Sequence, residues 1–350
     1  MSVAEALRAR DPSRLPSRRD EGWRWTDLRG LIRELPPASP EAHAGPTTGG
    51  PWEAIAADEV LIVNGRPAGD PDIRVAAGQT SVVRLRWLSA PDAGTHAGRV
   101  TVTVAADASL LLLESYEGPS NGTYVAAAEL DVDLAEGTRL TRLILADDAA
   151  EATSVSDAAV RLAPRAAFAQ TVLTSGARRQ RIETRVTHPG AGASVRMDGL
   201  YVLAHRRHAD LTTVVVHDGR DGETHQLAKG VVRDQARAVF QGRIEVLPGA
   251  DGTDARMGHH ALILSERAEV DAKPELEIYA DEVSCTHGNT VGSLDEDALF
   301  YARSRGVPED AARAMLTGAF LAEVLDRVEQ EDARAVMQAW LELQLSVQHG

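Results

Sequence analysis

Cysteine and lysine are nearly absent from this chain. Its 350 residues hold one cysteine, Cys285, and two lysines, Lys229 and Lys273. A lone cysteine makes no internal disulfide, so nothing ties the chain to an oxidising compartment, and a reducing cytoplasm is expected. Neither lysine stands in the G-x-x-x-x-G-K-[ST] setting that cradles phosphates, which excludes ATP hydrolysis by a P-loop. No G-x-G-x-x-G follows a strand, and the G-x-S-x-G elbow and H-E-x-x-H are missing, removing the commoner nucleotide, hydrolase and zinc-protease chemistries. Basic residues number 37 against 52 acidic ones, a formal charge of −15 that repels phosphate backbones and anionic headgroups. Neither nucleic acid nor a membrane is therefore expected as a partner. No run of eighteen apolar residues occurs, and the opening MSVAEALRARDPSRLPSRRD has basic residues without a signal peptide's apolar core. Export by that route is not expected.

What is present falls into three textures. Residues 1–51 begin with the helix-compatible SVAEALRAR and the cluster EGWRWTDLRGLI, then pass into PPASPEAHAGPTTGGP, which has no apolar period and reads as a linker. Residues 52–294 are short alternating runs such as RVTVTV and ELDVDL, punctuated by Gly, Asp or Pro, and read as mainly β. In RVTVTV, Val100, Val102 and Val104 share one face of a half-buried strand. No helical pattern intervenes, so crossover helices are excluded and a sandwich, a barrel or a parallel β-helix remains. Several stretches share the layout of an apolar strand, a glycine corner and another strand, as a β-helix rung would. The period is ragged, and Gly-rich hairpins of a sandwich fit the same text.

From residue 295 to 350 the period becomes helical. Leu316, Phe320, Val324 and Val328 recur every four residues, and Leu321 and Leu325 broaden the stripe. Pro308, Glu309 and Asp310 make a good first turn. Such helices either cap the end of the β region or form a docking platform for a partner through Leu316, Phe320, Leu321 and Val324.

The histidine clusters His205–His208 and His259–His260 are poor chelators, because strand residues one or three apart face opposite ways; both read as solvated pairs. Cys285 and His287 differ, since two residues apart on a strand they project from one face, with Gly288 free to turn beyond. Thiolate and imidazole together suit a soft or borderline metal, although a buried cysteine is also an ordinary small hydrophobe. Two donors do not complete a zinc or iron-sulfur site, so the remainder would come from a partner chain, a small thiol or sulfide. A stand-alone metalloenzyme, cupin-like or β-helical, would instead recruit His225, His259 or His260.

The text of this region resembles a known family. HQLAKGVV at His225–Val232, AVFQGRIEVLPGADGTDA at Ala238–Ala255 and LILSERAEVDAKPELEIYADEVSCTHGNTVGSLDEDALFYARSRG at Leu262–Gly306 are similar to the Suf iron-sulfur assembly proteins of the SufB/SufD family, most closely its SufD branch. The N-terminal EGWRWTDL matches more weakly. The resemblance implies a right-handed parallel β-helix core flanked by N- and C-terminal α-helical regions. It further implies a non-catalytic scaffold subunit that pairs with a SufB-like paralogue and docks a SufC-like ABC ATPase through its C-terminal helices. A homodimer is open to the isolated chain. No cofactor is expected on the chain alone, and an iron-sulfur cluster only transiently in the complex, with the histidine matching His287 at the paralogue interface. The chain is shorter than many members, and SCTHGNT replaces the more usual KCSHGAT.

Overall fold

The computed structural model describes residues 2–41 and 49–347, so residues 42–48 of the expected linker lie outside the described residues. From Thr80 to Gly292 successive strands alternate between two sheets, of ten and eight strands, and each pairs in parallel with the strand two places along the chain. Hairpins would pair chain neighbours antiparallel. Among the described residues only Asp58–Val63 with Arg66–Pro67 does so, at the start. The core is thus a parallel β-solenoid of about eight turns, and the sandwich is set aside.

Register stacks like positions into columns. Leu110 stands over Leu140, followed by Phe168, Val195, Thr224, Ala255 and finally Cys285. All but Cys285 are buried, so this column fills the solenoid lumen. The step along it is uneven, 27 residues from Phe168 to Val195 and 31 from Thr224 to Ala255, which is why the sequence period looks ragged. Corners also vary in composition. Positive φ is adopted by Gly137, Gly192 and Gly252, but equally by Asp107, Arg165, His205, Asp221 and Asp234. Several of their amides donate along the axis from turn to turn, as from Asp107 to Glu136 O, Gly137 to Pro164 O and Asp221 to Asp251 O. That ladder offsets part of the left-handed strain in the non-glycine corners.

Helices α1 (Val3–Arg8) and α2 (Leu28–Leu31) belong to an N-terminal segment laid on the outer face of the eight-stranded sheet. A capping box between Ser2 and Glu5 starts α1. Its Val3, Ala4 and Leu7 join Leu15, Leu28 and Ile32 against Val125, Ala127 and Val155. The Arg181 guanidinium lies 4.2 Å from the Trp23 ring centre and donates to Asp210, which also accepts from the Thr26 hydroxyl.

Helices α3 (Glu296–Ser304), α4 (Glu309–Leu325) and α5 (Glu331–Val347) form the C-terminal part. Leu321, Val324, Leu325, Val328, Met337 and Leu341 pack on Leu113, Leu143, Leu145, Leu173, Leu200 and Leu227, outward residues of the ten-stranded sheet. The cap expected at the end of the β region is therefore a cover on its flank. Strands such as Arg139–Asp147 are apolar on both faces, Leu140 and Ile144 inward, Leu143 and Leu145 outward, and the outer leucines draw the helices. The solenoid end at Gly292 stays open. No helix of the described residues is long and apolar enough to cross a membrane.

Candidate functional site at the open end of the solenoid

Among the described residues, terminal strand Ser284–Gly292 pairs only with Asp254–Ile263 and lies at the edge of its sheet. Its inward set, Cys285, His287, Asn289 and Val291, continues the columns of Ala255, Met257, His259 and Ala261. Those four are buried because a further strand covers them. The terminal set has no such cover: His287 and Asn289 are exposed, and Cys285 is half-buried against the lumen core. Cys285 and His287 thus share a face, and that face is presented at an open end. Burial, with the Asp254 carboxylate nearby, raises the Cys285 thiol above its usual range. It is a neutral thiol until a metal or a cation draws off its proton.

The other histidines go elsewhere. His259 is buried in the lumen, with the Tyr201 hydroxyl 2.9 Å from Nε2 and Asn289 Oδ1 2.7 Å from Nδ1; burial lowers its pKa to about 4. His260 is half-buried on the outer face, its Nδ1 2.7 Å from the Thr290 hydroxyl. The reading of this pair as solvated fails for His259, because alternation that prevents joint chelation also drives one ring inside. His205 and His208 divide likewise: His205 is an exposed corner residue whose amide donates to Asp234, whereas His208 is buried, with its pKa lowered to about 4 by burial. His225 is half-buried on the outer face, in register with Arg256. It points away from Cys285, on the opposite side of the sheet. Among the described residues no three His, Cys, Asp or Glu side chains are grouped to hold a metal ion. Cys285 and His287 by themselves offer two donor atoms.

In the tail, Leu321 and Val324 are consumed by the chain's own core, while Leu316 and Phe320 are half-buried. Lys229 fixes this part of α4 to the solenoid: its ammonium donates to the Phe320 carbonyl (3.1 Å) and the Glu323 carboxylate and sits 4.5 Å from the Phe320 ring centre. Beyond α4, Arg327 lies 3.2 Å from buried Asp198, whose pKa is pushed to about 6 by burial against the pull of Arg327 and Arg196. Phe300, Tyr301, Met315 and Leu343 are the large apolar side chains the tail leaves exposed.

Sequence reasoning missed a polar string inside the lumen. Glu114 and Arg142, both without exposure, face each other at 2.6 Å; Glu114 also accepts from Trp87 and Tyr116, and Arg142 donates to Gln170. Parity was the available signal, since Arg142 alternates with Leu140 and Ile144 on the inward side.

A family model described as SUF system FeS cluster assembly, SufBD core domain, matches residues 87–320. The chain is 32% identical over 282 residues to the iron-sulfur cluster assembly protein SufD of Escherichia coli (strain K12), covering 80% of this chain and 58% of that protein. Identity is 29% over 238 residues to a SufBD family protein of Synechocystis, covering 66% and 52%, and 27% over 368 residues to one of Mycobacterium leprae, covering 96% and 92%. The chain thus spans little more than half the length of the first two relatives and nearly all of the third.

Proposed function

The chain belongs to the SufBD family of iron-sulfur cluster assembly proteins, and from that premise we propose that it is a non-catalytic scaffold subunit whose open solenoid end forms half of a cluster-assembly site. The observation that carries this reading is the terminal strand, which sets Cys285 and His287 on one face of a strand paired on one side only. Such an edge is a template for another strand. A SufB-like paralogue pairing there would bring the missing donors opposite His287, and the cluster would be cargo, assembled between chains and passed on. An imidazole serves either as ligand or as proton acceptor while sulfide is taken up.

Energy would come from an ABC ATPase docked on the C-terminal helices, consistent with the missing P-loop. Because Leu321 and Val324 already pack inward, the docking face is assigned to Phe300, Tyr301, Met315 and Leu343, with half-buried Leu316 and Phe320 at its margin. Co-purification from the native source tests the assignment: a SufB-like chain and an ABC-type ATPase should be recovered with this one, and the isolated chain should be almost colourless and metal-free. An isolated chain carrying near-stoichiometric metal would overturn the scaffold reading.

A further inference from the structure

The adjacent histidines His259 and His260 are not used by the site above, yet each reaches one turn further along the solenoid. Asn289 and Thr290 are their register partners on the terminal strand, and both side-chain contacts are 2.7 Å. His259 meets Asn289 on the inward face; His260 meets Thr290 on the outward one. An amide oxygen only accepts, so His259 carries its proton on Nδ1 and leaves Nε2 bare to accept from the Tyr201 hydroxyl. The ring is fixed in plane by Phe240, parallel at 4.7 Å, and flanked by Tyr201 at 6.0 Å. Tyr201 reaches His259 across the intervening strand because Gly230 lies beneath it, where a Cβ would stand 2.0 Å from Tyr201 Cε2. His259 is therefore a rigid donor aimed at Asn289.

We infer that His259 and His260 are positioning residues that clamp the terminal strand from both faces and so hold Cys285 and His287 in place at the open end. The role in assembly rests on the reading of that end as a cluster site; the clamp itself does not. Ser284–Gly292 has a ladder partner on one side only, and such strands open locally at low cost. Asn289 shares the inward face with Cys285 and His287 at two-residue spacing, so fixing its side chain fixes the parity and set of that face.

Cys285 is the only thiol, which makes alkylation of the isolated full chain by neutral iodoacetamide a local reporter. Asn289→Leu keeps the branched shape and loses the acceptor, whereas Asn289→Asp keeps the acceptor. Asn289→Leu should raise the Cys285 labelling rate about tenfold, the opening expected from losing one partly buried hydrogen bond. Amide exchange should quicken over residues 284–292 alone, and Asn289→Asp should label at close to the native rate. His259→Phe, which preserves the stack on Phe240, should match Asn289→Leu, and combining the two should add nothing. Native-rate labelling in Asn289→Leu, or equal acceleration in Asn289→Asp, overturns the clamp. Because labelling involves no iron, this outcome is separate from the assembly reading, which His287→Ala tests. Where His287→Ala loses iron from the co-expressed complex, Asn289→Leu should lose it too, and full iron there overturns the positioning role.

Discussion

Arg142 and Glu114 illustrate what single residues do inside this solenoid. Their desolvation is offset by the pairing and by the groups around it: each satisfies the other, Trp87 and Tyr116 donate to Glu114, and Gln170 accepts from Arg142, whose Nη2 is left without a partner. Removing one charge strands the other, so Arg142→Met should cost about 3–5 kcal/mol in urea unfolding, and Glu114→Leu added to it should recover much of the loss. The buried histidines give a second expectation. Burial lowers His208 and His259 to about 4 and His217 to about 3. Their folded values lie below the unfolded one near 6.5, so the unfolded chain binds more protons through this window and stability falls as pH is lowered. Between pH 6 and 5 each should cost on the order of 1 kcal/mol. Asp198, raised to about 6, works the other way and returns part of it. Urea midpoints at pH 7 and pH 5 measure the net, and a midpoint unchanged or higher at pH 5 contradicts it. These sites were only half legible in sequence. Cys285 and His287 stand out by type and two-residue spacing, whereas Arg142 and His259 look like surface residues until register puts them in a covered column.

At the scale of elements, the tail behaves differently from what its stripe alone implied. Leu321 and Val324 were recognisable as one apolar face of a helix, but periodicity says only that a face is covered, not by what. The outward leucines Leu143, Leu145, Leu173 and Leu200 supply that cover, and they too were in the sequence, within strands apolar on both sides. Deleting residues 303–350 would bare those leucines and should yield an aggregating chain, which makes deletion a poor probe of docking. Surface substitutions avoid the problem. Phe300→Asp or Met315→Asp, each at an exposed position, should reduce recovery of the ABC-type ATPase at least tenfold while leaving the melting midpoint within about 2 °C of native. Undiminished recovery in both variants would remove these side chains from the docking face.

For the whole molecule, the sequence could not separate a solenoid from a sandwich, because a turn that varies between 26 and 32 residues, with corners made by Asp, Arg and His as well as by Gly, hides its own repeat. Family resemblance selected the solenoid, and the parallel pairing of every second strand is what makes it one. The architecture places its cover on two flanks and leaves one end open, and the face at that end carries the thiol and imidazole singled out by spacing. Of the two, His287 is exposed, while Cys285 is half-buried and its thiol is raised above the usual range; on the proposed reading a partner cysteine or sulfide would replace it. The central claim is tested most directly by iron and acid-labile sulfide in the co-expressed complex, measured for His287→Ala and Cys285→Ser beside thermal midpoint and complex recovery. His287→Ala should lose most of its iron and sulfide, and more than Cys285→Ser, with folding and pairing intact. A full complement of iron and sulfide in the His287→Ala complex would contradict the account.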